Sequence, residues 1–146
     1  MFSEDMTIGE IRAFFAQDRF ATEVCGATIV SASRGHAVCE MTLDGIHMNA
    51  MGAVMGGAIF TLADFALAIA CSVGEPPTVA VSNTIDFINP AHGNKLIAEC
   101  VTEKSGRSIG FYTVEVKDDK GTLVARMSAT CSRKDLPVSL KDYSHE

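Results

Sequence analysis

Met55-Gly-Gly-Ala-Ile-Phe-Thr-Leu-Ala-Asp-Phe-Ala-Leu-Ala-Ile-Ala-Cys71 is the stretch that decides how this chain folds. It is apolar at almost every position, so no face can be given to solvent, and it predicts a helix over about 55–72, buried on nearly all sides. Gly56-Gly57 opens the run, and Gly74 followed by Pro76-Pro77 stops it. From Ala58 to Val73 it is too short for the roughly twenty residues that a bilayer requires, and it carries Thr61, Asp64 and Ser72. Asp64 is thus a lone carboxylate inside an otherwise apolar helix. Taking it out of water unpaired is costly, so it must be hydrogen-bonded, neutralised, or held at a cleft as a catalytic base.

On the N-terminal side, Ile8, Ile11, Phe14 and Phe15 repeat at three-four spacing and predict a first helix over about 7–19, with Thr7 and Glu10 as a capping box. Strand-like runs follow at Cys25 to Ala32 and His36 to Leu43, the second alternating Ala37, Cys39 and Met41 against Glu40 and Thr42. A methionine-rich loop from Asp44 to Val54 leads into the central helix. Beyond Pro76-Pro77 lie four strand candidates, Thr78 to Phe87, Lys95 to Glu103, Ser108 to Lys117 and Thr122 to Arg133, with a hairpin turn at Asp118-Asp-Lys-Gly121. The tail from about Asp135 is polar and is expected to be loose. A helix apolar on almost every face requires partners on almost every face. The order of elements therefore implies an α+β architecture, an antiparallel sheet curled around one long central helix, in a single domain over residues 1–146.

Composition narrows the function classes. The 146 residues are 47% apolar and 21% charged with a formal net charge of −6, an ordinary globular balance. No run of more than two cations occurs, which argues against nucleic-acid and anionic-membrane partners. The acidic start Met1-Phe-Ser-Glu-Asp-Met6 lacks the cationic region of a signal peptide, so a cytoplasmic protein is expected. Cys25, Cys39, Cys71, Cys100 and Cys131 are odd in number and embedded in apolar segments, as reduced core thiols are. No CxxC or HxxxH pair offers metal spacing, and His36, His47, His92 and His145 show no triad arrangement.

The segment from Asn49 through Gly52, Met55-Gly56-Gly57 and Leu62-Ala63-Asp64 resembles the hotdog-fold acyl-CoA thioesterases of the PaaI-like and 4-hydroxybenzoyl-CoA thioesterase group. Ser82, Ile85-Asp-Phe-Ile-Asn-Pro90-Ala91 and Lys104-Ser-Gly-Arg107 extend the likeness, which runs from about Asn49 to Ala129. Met55 departs from it, standing where that family usually has His. The resemblance implies that Gly56 polarises the thioester carbonyl, Asn49 positions water or thioester, Asp64 acts as base or nucleophile, and Ser82 orients the water or the carboxylate. Substrate and product would both carry CoA, and no cofactor or metal is implied.

Thioester hydrolysis needs a donor for the developing oxyanion and a carboxylate that activates water or attacks directly. Gly56 stands at the helix start, where an unpaired N–H and the positive dipole end are available and where a side chain would obstruct the thioester. Asp64 lies eight residues beyond it, about 12 Å along a continuous helix. One chain then cannot bring both to the same carbon, and a two-fold dimer with antiparallel central helices is expected, by the resemblance paired into a tetramer. Gly57 belongs to the same close approach. Met48, Met51 and Met55 suggest an adaptable acyl pocket, and Lys104 and Arg107 could hold a CoA phosphate. The alternatives are a non-catalytic acyl-CoA binding or sensing module, which the missing His makes plausible, and, behind it, an enoyl-CoA hydratase-like protein, for which no Asp and His stand at neighbouring spacing.

Overall fold

The computed structural model describes residues 3–134; the expected loose tail from Asp135 lies outside the described residues. Helix α1 spans Ile8–Phe15 and opens with the full capping box, the Thr7 hydroxyl accepting from Glu10 N–H and the Glu10 carboxylate accepting from Thr7 N–H. It ends four residues short of the expectation. Thr22 sends its hydroxyl back to the carbonyls of Ala16 and Asp18, and a single π-helical turn, Phe20–Val24, replaces the missing turn. Gly26, at φ +76°, then swings the chain into the sheet, so β1 starts at Ala27 and not at Cys25.

Strand β1 spans Ala27–Ser33 and β2 His36–Thr42; β3 is Thr78–Phe87, β4 Lys95–Ser105, β5 Ile109–Asp118 and β6 Leu123–Arg133. All pairings are antiparallel, in the order β1-β2-β4-β5-β6-β3, so β1 and β3 are the sheet edges. Helix α2, Gly56–Ala70, is unbroken and touches all six strands. Leu62, Ala63, Ala66, Ile69 and Ala70 are fully buried against Ala37, Cys39 and Met41 of β2, Leu96, Ala98 and Cys100 of β4, and Ala125, Met127 and Cys131 of β6. Each Leu or Ile buried this way contributes about 1.5–3 kcal/mol, which makes α2 and the concave sheet face one core.

One expectation needs correction. Helix α2 is not buried on nearly all sides: Gly57 is exposed, and Phe60, Thr61, Asp64 and Ala68 are half-buried. These positions recur at helical spacing and form one stripe that the chain's own sheet leaves uncovered. Edge strand β3 is also open, with Val79, Val81 and Phe87 exposed.

The register decides which β3 residues face α2. Phe87 pairs with Ala125, Ile85 with Met127 and Asn83 with Ala129, all on the helix side. The pairing slips at Val81, after which Ala80 meets Cys131. Ser82 pairs with Thr130 and stands on the convex face.

Candidate active site

The start of α2 carries two free donors. Met55 is the N-cap but has no side-chain oxygen to cap with, and its own N–H is spent on the carbonyl of His47 at 2.8 Å. The N–H groups of Gly56 and Gly57 have no partner among the described residues, whereas those of Ala58 and Ile59 both reach back to Met55. Two adjacent unpaired N–H groups at the positive end of a 15-residue helix form a site for developing negative charge.

The loop before the helix is held by side chains rather than by a strand ladder. Asn49 Oδ1 accepts from Met51 N–H at 2.9 Å and from Ala53 N–H at 3.1 Å, so this amide organises the turn and only its Nδ2 remains to reach a ligand. His47 is buried; its Nδ1 accepts from Asp44 N–H at 3.0 Å, and Nε2 then donates to the carbonyl of Cys25 at 2.7 Å. His47 thus latches the loop onto the end of the π-helical turn. Nothing in its sequence context marks that role.

Asp64 projects from the uncovered stripe into a cavity of about 330 Å³, lined by Asp18, Phe20, Phe60, Thr61, Phe65 and Ala68 among others. Its carboxylate has no hydrogen bond or ion pair among the described residues. Burial pushes its pKa up from the usual carboxylate range, and the neighbouring Asp18 carboxylate pushes in the same direction. A half-buried, unpaired, basic carboxylate in a cleft is the form a general base takes. No loop backbone group is bonded to it among the described residues.

Other expected residues lie apart from these two. Ser82, on the convex face, is not brought to the Asp64 side of its own sheet. Met51 is 90% exposed and Met55 55% exposed, and neither they nor Met48, which bridges to Val54, line the Asp64 cavity. A second cavity of about 330 Å³ beside Gly56 is walled instead by Val54, Ile59, Phe87, Ile88 and Pro90. Lys104 and Arg107 are exposed at the β4–β5 turn, at the end of the sheet opposite Phe87 and Gly56. Asn83 was not anticipated: it faces α2 from β3, and its Oδ1 is buried without a partner.

Comparison with known proteins names this arrangement. Residues 51–125 match the family model described as the thioesterase superfamily. The acyl-coenzyme A thioesterase PaaI of Escherichia coli is 33% identical over 114 residues, which is 77% of this chain and 81% of that protein. The chain belongs to the thioesterase superfamily. Human acyl-coenzyme A thioesterase 13 is 30% identical over 120 residues, 80% of this chain and 86% of that one. The structure of the E. coli PaaI protein from the phenylacetic acid degradation operon superposes with a TM-score of 0.78 at 26% identity, covering 91% of this chain and all of that chain.

The fold is accordingly the hotdog fold, and the chain is a thioester hydrolase. Free helix-start N–H groups and a half-buried carboxylate of raised pKa stand on one unbroken helix. The chain lacks an imidazole at position 55. Among the buried thiols, burial pushes Cys39 and Cys100 up to about 12, Cys71 is raised by its contact with Cys131 and by burial, and the same contact lowers Cys131. Among the described residues, no group of three or more His, Cys, Asp and Glu could hold a metal ion, and no helix is long and apolar enough to cross a membrane.

Proposed function

We propose that this thioesterase hydrolyses acyl-CoA thioesters to a carboxylic acid and free CoA, with water as the only co-reactant, in sites shared between two copies of the chain. The observation that carries the shared site is the continuity of α2. Gly56 and Asp64 are eight residues apart on it, about 12 Å, yet an attacked carbon must lie within about 3 Å of both donor and base. A second copy with its α2 antiparallel brings its Asp64 to the Gly56 end of the first. The uncovered stripe of Gly57, Phe60, Thr61, Asp64 and Ala68 and the open edge of β3 are the surfaces such a partner would cover. Pairing of such dimers into a tetramer is part of the same reading.

In this site the thioester oxygen accepts from the N–H groups of Gly56 and Gly57 of one copy. Asp64 of the other removes a proton from water as the water attacks the carbonyl, or attacks it directly to form an anhydride that water then cleaves. The thiolate of CoA leaves, and the acid product follows. Asn49 Nδ2 stands on the same loop as the donors, and Lys104 and Arg107 are cations for the CoA phosphates. The unpaired cysteines and acidic charge favour a cytoplasmic setting.

Free-thiol release from a panel of acyl-CoAs, run from acetyl through long-chain and aryl groups, tests the reading. Turnover with at least one member is expected. Binding of acyl-CoA without thiol release would favour a sensing module, and loss of enoyl absorbance from crotonyl-CoA would favour a hydratase.

A further inference from the structure

The connection between α1 and β1 lies outside residues 51–125, yet it supplies one wall of the Asp64 cavity through Asp18, Arg19, Phe20 and Ala21. Asp18 is held there by its backbone. Its N–H donates to the Phe15 carbonyl at 3.0 Å, and its own carbonyl accepts both the N–H and the hydroxyl of Thr22 at 3.0 Å. The Asp18 side chain, by contrast, has no hydrogen bond or ion pair among the described residues. The nearest cation in sequence is committed elsewhere: Arg19 is paired with Glu23 at 2.9 Å, one turn on. Two carboxylates therefore share one cleft with no cation between them. Asp18 thereby adds to burial in disfavouring the ionised form of Asp64.

We propose that Asp18 is a second carboxylate of the reaction site, a positioning residue that acts through Asp64 and does not itself touch the substrate. The inference rests on the reading of Asp64 as the base. Its physical content is simple. A negative charge at position 18 makes it harder for Asp64 to lose its proton and makes the ionised Asp64 a stronger base toward water. The titratable groups at Asp64 are few: Asp18 from the connection and the Cys131 thiol from β6, with Arg19 on the same cavity wall but paired to Glu23, while α2 itself carries no other charge. Asp18 is the one of these that is anionic.

The test is a carboxyl-carbon NMR titration of the full chain labelled at aspartate, comparing wild type, Asp18→Asn, and Glu103→Gln as a control that removes one exposed charge on β4 away from the cleft. Asp64 should titrate at lower pH in Asp18→Asn than in either other protein. Raising sodium chloride to about 1 M should lower the wild-type midpoint by screening and leave Asp18→Asn little changed. The acid limb of kcat/KM for thiol release should move the same way. At a pH below the limb, the activity of Asp18→Asn relative to its own plateau should exceed the wild-type ratio by at least about twofold. An Asp64 midpoint equal in Asp18→Asn and Glu103→Gln overturns the proposal. Wild-type turnover by Asp64→Asn would instead overturn the assignment of Asp64 as base while leaving the titration result in place, so the two failures are told apart.

Discussion

The ring of Phe87 stands 3.2 Å from the place where a Cβ on Gly56 would lie, while a Cβ on Gly57 would meet nothing within 4 Å. The two glycines therefore differ in kind. Gly56 is small because an aromatic side chain of edge strand β3 presses on the helix start. Gly57 has open space in front of it within its own chain, which leaves access to the free N–H groups and the approach of a partner as the reasons for its size. Gly56→Ala should lower thermal stability, since the ring must give by a few tenths of an ångström. Gly57→Ala should keep or raise stability, by up to about 1 kcal/mol from helix propensity, and still lower kcat/KM. Melting curves paired with thiol-release kinetics separate the two. Equal loss of stability in both variants would contradict this distinction.

Asp64→Ala or Asp64→Asn should lower kcat by at least about a hundredfold with KM nearly unchanged, as loss of a positioned base requires. Because burial and then Asp18 raise the Asp64 pKa, the acid limb of the wild-type rate profile should lie above the ordinary carboxylate range of about 4. The sign for stability is the reverse. A carboxyl whose folded pKa is raised keeps its proton longer in the folded state, so its ionisation weakens the fold as pH rises through that pKa. Asp64→Asn should thus melt at or above the wild-type temperature at pH 7. A rate near wild type in either variant would remove Asp64 from the mechanism.

Met55 caps α2 through its backbone and leaves its side chain largely in solvent. Met55→His should change kcat/KM by less than about tenfold, or roughly 1.4 kcal/mol, if the side chain at this position only shapes the site. A hundredfold gain with the same substrate would instead indicate a chain adapted to hold acyl-CoA rather than to turn it over.

Subunit mixing addresses the shared site. Asn49→Ala chains and Asp64→Ala chains, each inactive alone, form mixed dimers with one intact site and one doubly defective site. Random exchange of equal amounts should restore about a quarter of wild-type activity. Mass spectrometry must show mixed dimers. If they form and the mixture stays as inactive as its parents, Asp64 acts within its own chain.

Asp118 carries a pH dependence of opposite sign. Its buried carboxylate accepts from the N–H groups of His92 at 2.8 Å and of Lys120 and Thr122 at 3.0 Å, and these bonds, that of His92 first, hold its pKa below the usual value. A depressed pKa contributes stability that is present above the unfolded value of about 3.9 and is lost as pH falls through the folded one. Asp118→Asn should be less stable than wild type at pH 7, and the gap should narrow below about pH 4. Chemical denaturation at the two pH values measures it. A gap that widens in acid would show that the carboxylate is not what holds this hairpin.

The sequence by itself determined the fold. An apolar stretch from Ala58 to Ile69 with a glycine pair before it and a proline pair after it predicts a central helix packed against a sheet, and the alternation Ala125, Met127, Ala129, Cys131 sets which face of β6 looks inward. It also singled out Asp64, because a lone charge in an apolar helix stands out without knowledge of its neighbours. What lies beside Asp64 was decided only by tertiary structure. The slip in register at Val81 turns Ser82 outward and Asn83 inward, and no alternation along Thr78–Phe87 reveals one extra residue in a strand. The partnership of Asp18 with Asp64 joins residues 46 positions apart through a π-helical turn that α1's periodicity gives no hint of. His47 looks like any loop histidine until the carbonyl of Cys25 is brought within 2.7 Å of it. Local pattern encodes which face is apolar, but distance between side chains far apart in the chain is a property of the packed core, and the chemistry of this site is made of such distances.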